Sequence, residues 1–582
     1  MDIFSVLTLL GGLGLFLYGM NVMGDGLKKM AGGKLESILS KLTANKAKGF
    51  LLGFIITAII QSSSATTVML VGFVNSGIMK FGQTISVILG ANLGTTVTSW
   101  ILSLSGISGD TFWIKIFKPT SFTPVLMIIG VIMSMGCKTD KKKNTALILI
   151  GFATLMFGMN TMSDAMSALK DSEQFSQMLI MFSNPIMGIL VGTLLTAIIQ
   201  SSSASVGVLQ ALSMTGAIPF STAIPIILGQ NIGTAITPIL SSVTGNTESK
   251  RVAFTCLYIK IIGVTVVSSI FYGLNAVIGF EFMSDSVNML SIATIHTLFN
   301  VADAVILLPL SRWIEKLAIT TIKGKSVEQH TQFDMLDERF LTMPSFAIEK
   351  CRELVCEMAQ ISNESVVTAI GLIDRYDKTI FDEIQKNESL VDTYEDKLSS
   401  HFVKISSEKI SIEDSKAITK LLHCIGDIER IADHAVSISM LIKELESKPT
   451  KFSKAAQDEI KIISSAVTEV LSLATEAFLY DDLEVAGMVE PLEQVIDKLR
   501  LKIKDNHIIR LQSGQCSIEL GFLLSELLNN FARIADHCSN IAVCLIEVSN
   551  GSFDTHEYLN TVKTSNEDFA CLYDEYKEKY AI

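Results

Sequence analysis

One amide and three hydroxyls stand in a row at Gln61, Ser62, Ser63 and Ser64, and the same four return 139 residues later at Gln200, Ser201, Ser202 and Ser203. Both sets lie inside apolar runs, GFLLGFIITAIIQSSSATT from Gly49 to Thr67 and GILVGTLLTAIIQSSSASV from Gly188 to Val206. Such donors are costly to leave in hydrocarbon without partners, so a bound ligand is the expectation. Where a chain turns and starts a helix at such a motif, unpaired N–H groups and the positive end of the helix dipole attract an anion. Phosphate or another oxyanion binds well at such a terminus. The six serines add hydroxyl donors and the two glutamines amide donors, so no buried Lys or Arg is required. Serines that only satisfy the turn and pack closely are the competing reading.

A second duplicated segment follows each motif: Gly90-Ala-Asn-Leu-Gly-Thr-Thr96 and Gly229-Gln-Asn-Ile-Gly-Thr-Ala235. Two glycines and an asparagine in the middle of an apolar run predict local unwinding, which exposes carbonyls to a hard cation. Asn92, Thr95, Asn231 and Thr234, with Thr66 and Ser205 from the neighbouring motifs, supply oxygen ligands of the type sodium prefers. Close helix packing through Gly and Thr explains the same residues, and the residues alone also allow protons. His296 and Asn300 lie one turn apart with Asp303 nearby; a bridging hydrogen bond is the expected role of the histidine, and a proton-linked or phosphate-contacting role is the alternative.

The elements that must position these groups are duplicated too. Gly19-Met-Asn-Val-Met-Gly-Asp25 matches Gly158-Met-Asn-Thr-Met-Ser-Asp164 at the same offset, giving repeats over about 5–137 and 144–280. Asp25 and Asp164 read as helix caps or loop partners. Within each repeat the arm before the QSSS is only about 12 residues long, too short to span a bilayer, which predicts a re-entrant helical hairpin. Lys28, Lys29, Lys34, Lys41, Lys46 and Lys48 form one basic loop and Lys138 to Lys143 another, so both fall on the cytoplasmic side. Three crossings plus a hairpin per repeat is an odd count. The halves therefore run in opposite directions, the architecture of secondary transporters with a midplane site.

The fold class expected is all-α: a polytopic membrane protein with inverted repeats and two re-entrant hairpins, then a cytoplasmic helical bundle. Transmembrane residues should occupy 1–318, with an extra helix at 288–310. A linker over 319–339, a bundle of two three-helix units over 340–550 and a tail over 551–582 follow. The 582 residues are 49% hydrophobic, and the net charge of −12 excludes a phosphate-backbone binder, so no nucleic acid is expected. Nine scattered cysteines include no Cys-x-x-Cys pair and read as reduced packing residues. No glycine stands four residues before Gly324-Lys-Ser, so a nucleotide loop is absent and ATP-driven transport is not expected.

The paired QSSS motifs, each followed by Gly-x-Asn-x-Gly-Thr, resemble the type II sodium/phosphate cotransporter family over residues 1–310. Asp427-Ile-Glu-Arg-Ile-Ala-Asp-His434 resembles the PhoU phosphate-uptake regulator family, and bacterial cotransporters often carry such a domain. The resemblance implies sodium-coupled import of inorganic phosphate by alternating access in the plasma membrane. A phosphate exporter, another oxyanion carrier and a membrane-bound phosphate sensor are the alternatives; none is an enzyme. It implies metal on carboxylate faces of the PhoU-like part: Glu388, Asp392, Glu429 and Asp433 in one unit, Glu493, Asp497 and Asp536 in the other. A divalent or iron-type ion suits such paired carboxylates. The second unit departs from the pattern, with Ala532 in place of Glu429 and Asn530 in place of Asp427. Partners expected are phosphate, sodium and the lipid bilayer, and a homo-oligomer is compatible.

Overall fold

The computed structural model describes residues 3–31, 45–106, 119–137, 139–167, 173–324, 332–408, 410–449, 451–550 and 567–582. Every regular element among them is a helix, and the chain forms two units, Met1–Phe346 and Ala347–Ile582. Lys34, Lys41 and Lys138 of the expected basic loops, and residues 325–331 of the expected linker, lie outside the described residues.

In the first unit one half runs α1 (Ile3–Ala31), α2 (Lys46–Ile60), α3 (Ser63–Asn75), α4 (Phe81–Ser103) and α5 (Pro119–Gly136). The other runs α6 (Asp140–Ser167), α7 (Glu173–Phe182), α8 (Pro185–Ile199), α9 (Ser202–Ser213), α10 (Phe220–Gly233), α11 (Ile236–Ser242) and α12 (Thr247–Ile278). Then come α13 (Met289–Leu307) and α14 (Ser311–Thr321). Six spans here are long and apolar enough to cross a membrane: α1, α4, α6, α10 with α11, α12 and α13. A seventh stretch, Lys454–Tyr480, also qualifies by length and composition. It lies in the second unit, where Ile460, Ile463, Val467, Val470 and Leu471 are buried as one face of a bundle helix.

Glycines set how the two halves meet. A Cβ on Gly19 would lie 2.3 Å from Leu155 N, and one on Gly158 2.3 Å from Phe16 N. Likewise a Cβ on Gly12 would lie 2.9 Å from Met162 N, and one on Gly151 2.3 Å from Met23 N. Subtracting the repeat offset from 155 and 162 gives 16 and 23, so each contact has its reciprocal. Reciprocal contacts are the mark of a two-fold axis. Rising numbers on α1 meet falling numbers on α6, so the helices are antiparallel and the two repeats are inverted.

Glycines also set the hairpins. A Cβ on Gly90 would sit 1.9 Å from Phe50 O and one on Gly94 2.6 Å from Phe54 O, so α2 and α4 run parallel with their backbones in contact. The second half repeats this: Gly229 would meet Ile189 O at 2.0 Å and Gly233 would meet Thr193 O at 2.5 Å. For two consecutive parallel helices to start level, the arm between them must return to the starting side, which makes α2–α3 and α8–α9 hairpins. With 15 and 13 residues, α2 and α3 reach only about 20 Å each, short of a core about 30 Å thick.

The second unit contains α15 (Pro344–Gly371), α16 (Lys378–Ser406) and α17 (Ile412–Ser447), then α18 (Lys454–Tyr480), α19 (Leu483–Gln512) and α20 (Ile518–Asn550). Its two halves are reciprocal as well. His434 Nδ1 lies 2.8 Å from Asn530 Oδ1, and His537 Nδ1 lies 2.8 Å from Asp427 Oδ1, partners that exchange under the 103-residue offset. In the stretch read as a tail, α21 (Glu567–Lys579) packs on α19, and its Lys579 Nζ reaches Glu469 Oε2 at 2.7 Å.

Candidate functional site

At both hairpin tips the chain turns through a left-handed residue, Gln61 with φ 59° and Gln200 with φ 57°. A non-glycine residue there costs of order 1 kcal/mol, and strain of this kind gathers at functional sites. The turn is closed by matched hydroxyl pairs: Thr57 Oγ1 donates to Thr66 Oγ1 at 3.0 Å, and Thr196 Oγ1 donates to Ser205 Oγ at 2.8 Å. Only a reversal of direction brings residues nine apart on helical arms into such contact.

Ser62 and Ser201 are the N-caps of α3 and α9, and their hydroxyls accept from Ala65 N and Ala204 N at 3.2 Å. That leaves the N–H groups of Ser63 and Ser64, and of Ser202 and Ser203, in first turns without intrahelical acceptors. No hydrogen bond to protein occupies these four hydroxyls among the described residues. Ser63 and Ser202 are each 7% exposed, so each tip offers an anion two amides and two hydroxyls in a nearly dry setting.

The glutamines differ between tips. Gln61 is buried, its Nε2 bonded to Ala58 O and its Oε1 accepting from Thr98 Oγ1 at 2.7 Å. Its amide closes the tip in this conformation, whereas Gln200 is exposed. One position further along α4, Ser99 O accepts from Gln210 Nε2 of α9 at 3.0 Å. Adjacent residues of α4 thus hold both hairpins. Ser99 Oγ lies 3.0 Å from His296 Nδ1 of α13, the bridging role expected of that histidine.

The expected unwinding at Gly90 to Thr96 does not occur. α4 is continuous from Phe81 to Ser103, and its glycines serve the approach of α2. In the second repeat the helix breaks at Thr234 and Ala235, both still right-handed, because Pro238 has no N–H to give the Thr234 carbonyl. The hydroxyls retain the polarity a cation needs. Thr66 Oγ1 donates to Ser62 O at 3.1 Å and Thr95 Oγ1 to Ala91 O at 3.1 Å, which leaves lone pairs outward. Thr234 Oγ1 donates to Asn231 O at 2.8 Å, and Asn231 Nδ2 donates to Ile227 O at 2.9 Å. Asn92 is 8% exposed.

Sequence reasoning missed Lys260. It lies in α12, only 5% exposed, with its ammonium on Thr234 Oγ1. A charge inside a span of mean hydropathy 2.0 was the available signal. Asp303 of α13 is 2% exposed and its carboxylate lies against Gly263, where a Cβ would be 1.9 Å from Oδ1.

In the second unit Glu388, Asp392 and Asp433 bring one carboxylate oxygen each within 4.8 Å of one another. Burial, with repulsion from Asp433, Asp392 and Glu395, pushes the Glu429 carboxyl up to about 7. Such crowding favours a bound cation. The other half does not gather: Asp497 pairs with Arg500 at 2.6 Å and Asp536 with Arg533 at 3.4 Å. Glu493 joins no such group among the described residues.

Comparison with known proteins follows the same division of the chain. The Na+/Pi-cotransporter family profile matches residues 15–164 and again 155–292, and the PhoU domain profile matches 355–442 and 460–545. "Uncharacterized protein YqeW" of Bacillus subtilis is 31% identical over 324 residues, 53% of this chain and 96% of that protein. "Putative inorganic phosphate export protein YjbB" of Escherichia coli K12 is 21% identical over 562 residues, 95% of this chain and all of that protein. "Sodium-dependent phosphate transport protein 2A" of Rattus norvegicus is 34% identical over 103 residues, 17% of this chain and 16% of that protein.

Proposed function

The chain belongs to the Na+/Pi-cotransporter family of membrane phosphate transporters and carries a PhoU domain, and on that premise we propose that it imports inorganic phosphate with sodium by alternating access. The observation that carries the reading is the pair of tips: two inverted hairpins, each starting a helix with free serine amides and hydroxyls. Ser62, Ser63 and Ser64 with Ser201, Ser202 and Ser203 would hold the anion, helped by Gln200 and by Gln61 once it leaves Ala58. Thr66, Asn92 and Thr95 would hold sodium in the first repeat, with Ser205, Asn231 and Thr234 as their equivalents. Neutral donors bind a phosphate dianion without trapping it, and release is what a carrier needs.

The PhoU domain is read as cytoplasmic and regulatory. The last residues of the first unit support this. Asn75 Nδ2 donates to Asp337 Oδ2 at 2.8 Å, at the hairpin mouth that begins near Lys46 and Lys48 and lies beside Asn246 of the Lys250 and Arg251 loop. Glu388, Asp392, Glu429 and Asp433 fit a divalent ion by their oxygen donors and crowding. Such an ion would neutralise them and fix α16 to α17.

Purified protein in liposomes decides the matter. Labelled phosphate should accumulate under an inward sodium gradient and not under a potassium gradient of equal size. Binding without flux would make the membrane unit a sensor, and flux indifferent to sodium would remove the coupling. Export is a second reading, favoured by the name of the relative that aligns over 95% of this chain. Net phosphate loss from cells expressing the protein would support it over import.

A further inference from the structure

Position for position, the two repeats match at nearly every group assigned to ligand binding, and Lys260 breaks that symmetry. Its equivalent 139 residues earlier is Ser121, an exposed residue. Its partner Thr234 does have a counterpart, Thr95, whose hydroxyl donates to Ala91 O and bonds no ammonium of the protein among the described residues. Of two related hydroxyls, therefore, one carries a protein cation and the other is free to take one from solution.

The surroundings of Lys260 are unlike those of a structural ion pair. Its bonded partner is a neutral hydroxyl, and no carboxylate among the described residues lies within 4.0 Å of its Nζ. Asp303 of α13 lies against Gly263, one turn further along α12. Asp303 Oδ1 and Asn300 Oδ1 are both buried with no hydrogen-bond partner. Gly263, one turn after Lys260, is the residue that gives the carboxylate room. The threonine hydroxyl that in the first repeat is open to a cation here already carries one, covalently attached. An ammonium and a sodium ion carry the same charge and compete for the same lone pairs.

We infer that Lys260 is a tethered cation, filling at Thr234 the second-repeat counterpart of the sodium site at Thr95. The inference rests on the sodium-coupled reading above and revises it at one place, giving the second-repeat position at Thr234 to Lys260 instead of a sodium ion. With the tether in place the chain takes one sodium ion fewer per cycle than two symmetric sites would take. The position of that charge is fixed by α12, so it contributes no net charge movement of its own when an ion is released.

The test counts sodium. Full-length protein is purified as wild type, Lys260→Gln and Lys260→Arg, and bound radioactive sodium is measured at saturation with the Hill coefficient for sodium in phosphate uptake. Lys260→Gln should bind one more sodium ion per chain and raise the Hill coefficient by about one, while Lys260→Arg should keep wild-type values. Equal sodium counts in wild type and Lys260→Gln would overturn the inference. Should Lys260→Gln fail to fold, Lys260→Ser, which restores the residue of the first repeat, takes its place with the same expected count, and a wild-type sodium count in it overturns the inference. Wild-type uptake that ignores sodium is a separate failure, that of the coupling itself.

Discussion

Adding one methyl group at Gly90 tests how the hairpins are held. A Cβ there would lie 1.9 Å from Phe50 O, 2.8 Å from Phe50 C and 2.9 Å from Phe54 N, all backbone atoms of α2. A carbon–oxygen contact needs about 3.3 Å, so α2 and α4 must separate by about 1.4 Å. Side chains could rotate away from a methyl; a helix backbone cannot. Overpacking costs typically 1–3 kcal/mol, and the upper end applies here, with about 3 kcal/mol shifting the folding equilibrium about a hundredfold. Because α2 carries the tip, phosphate uptake should fall as well. Gly229→Ala should behave alike, since its Cβ would lie 2.0 Å from Ile189 O. Gly14→Ala and Gly273→Ala are the controls, with nothing within 4 Å and a helix propensity gain of about 1 kcal/mol. The assay is thermal unfolding in detergent beside uptake in liposomes. A Gly90→Ala protein as stable and as active as Gly14→Ala would refute the parallel packing of α2 on α4.

Two predictions concern the PhoU domain. Added divalent cation should raise the unfolding midpoint of the purified chain, and Asp433→Asn or Glu388→Gln should abolish the rise while Asp536→Asn leaves it, as expected if only the first carboxylate face binds. Arg510 holds Glu459 with two hydrogen bonds of 2.9 and 2.7 Å in a buried setting. Arg510→Met should cost about 3–5 kcal/mol in denaturant unfolding, with part of that loss recovered in the Arg510→Met, Glu459→Met double variant, as for a buried pair broken on one side.

The inverted architecture was legible because the repeat keeps one offset without gaps and because the arm before each QSSS is too short to cross. The lysine-bearing loops then set an expected orientation of the halves. The role of Gly90 and Gly229 was not legible, since a glycine that frees carbonyls and one that admits a neighbouring backbone look identical in sequence. Only the carbonyls of Phe50 and Ile189, forty residues earlier, tell them apart. Lys260 was overlooked for a related reason. Attention to duplicated residues favours what both repeats share, and this lysine is present in one alone. The asymmetry of Gln61 and Gln200 was likewise invisible, because the bonds to Ala58 and Thr98 depend on how α4 stands beside the first tip.

The most direct measurement is phosphate binding to purified protein carrying Ser63→Ala, Ser202→Ala or both. Each hydroxyl given to an anion is worth about 1.5–3 kcal/mol, so each single change should weaken binding about tenfold to a hundredfold and the pair should bring it below detection. A double variant that is folded and binds phosphate as the wild type does would contradict the claim that both tips hold the anion.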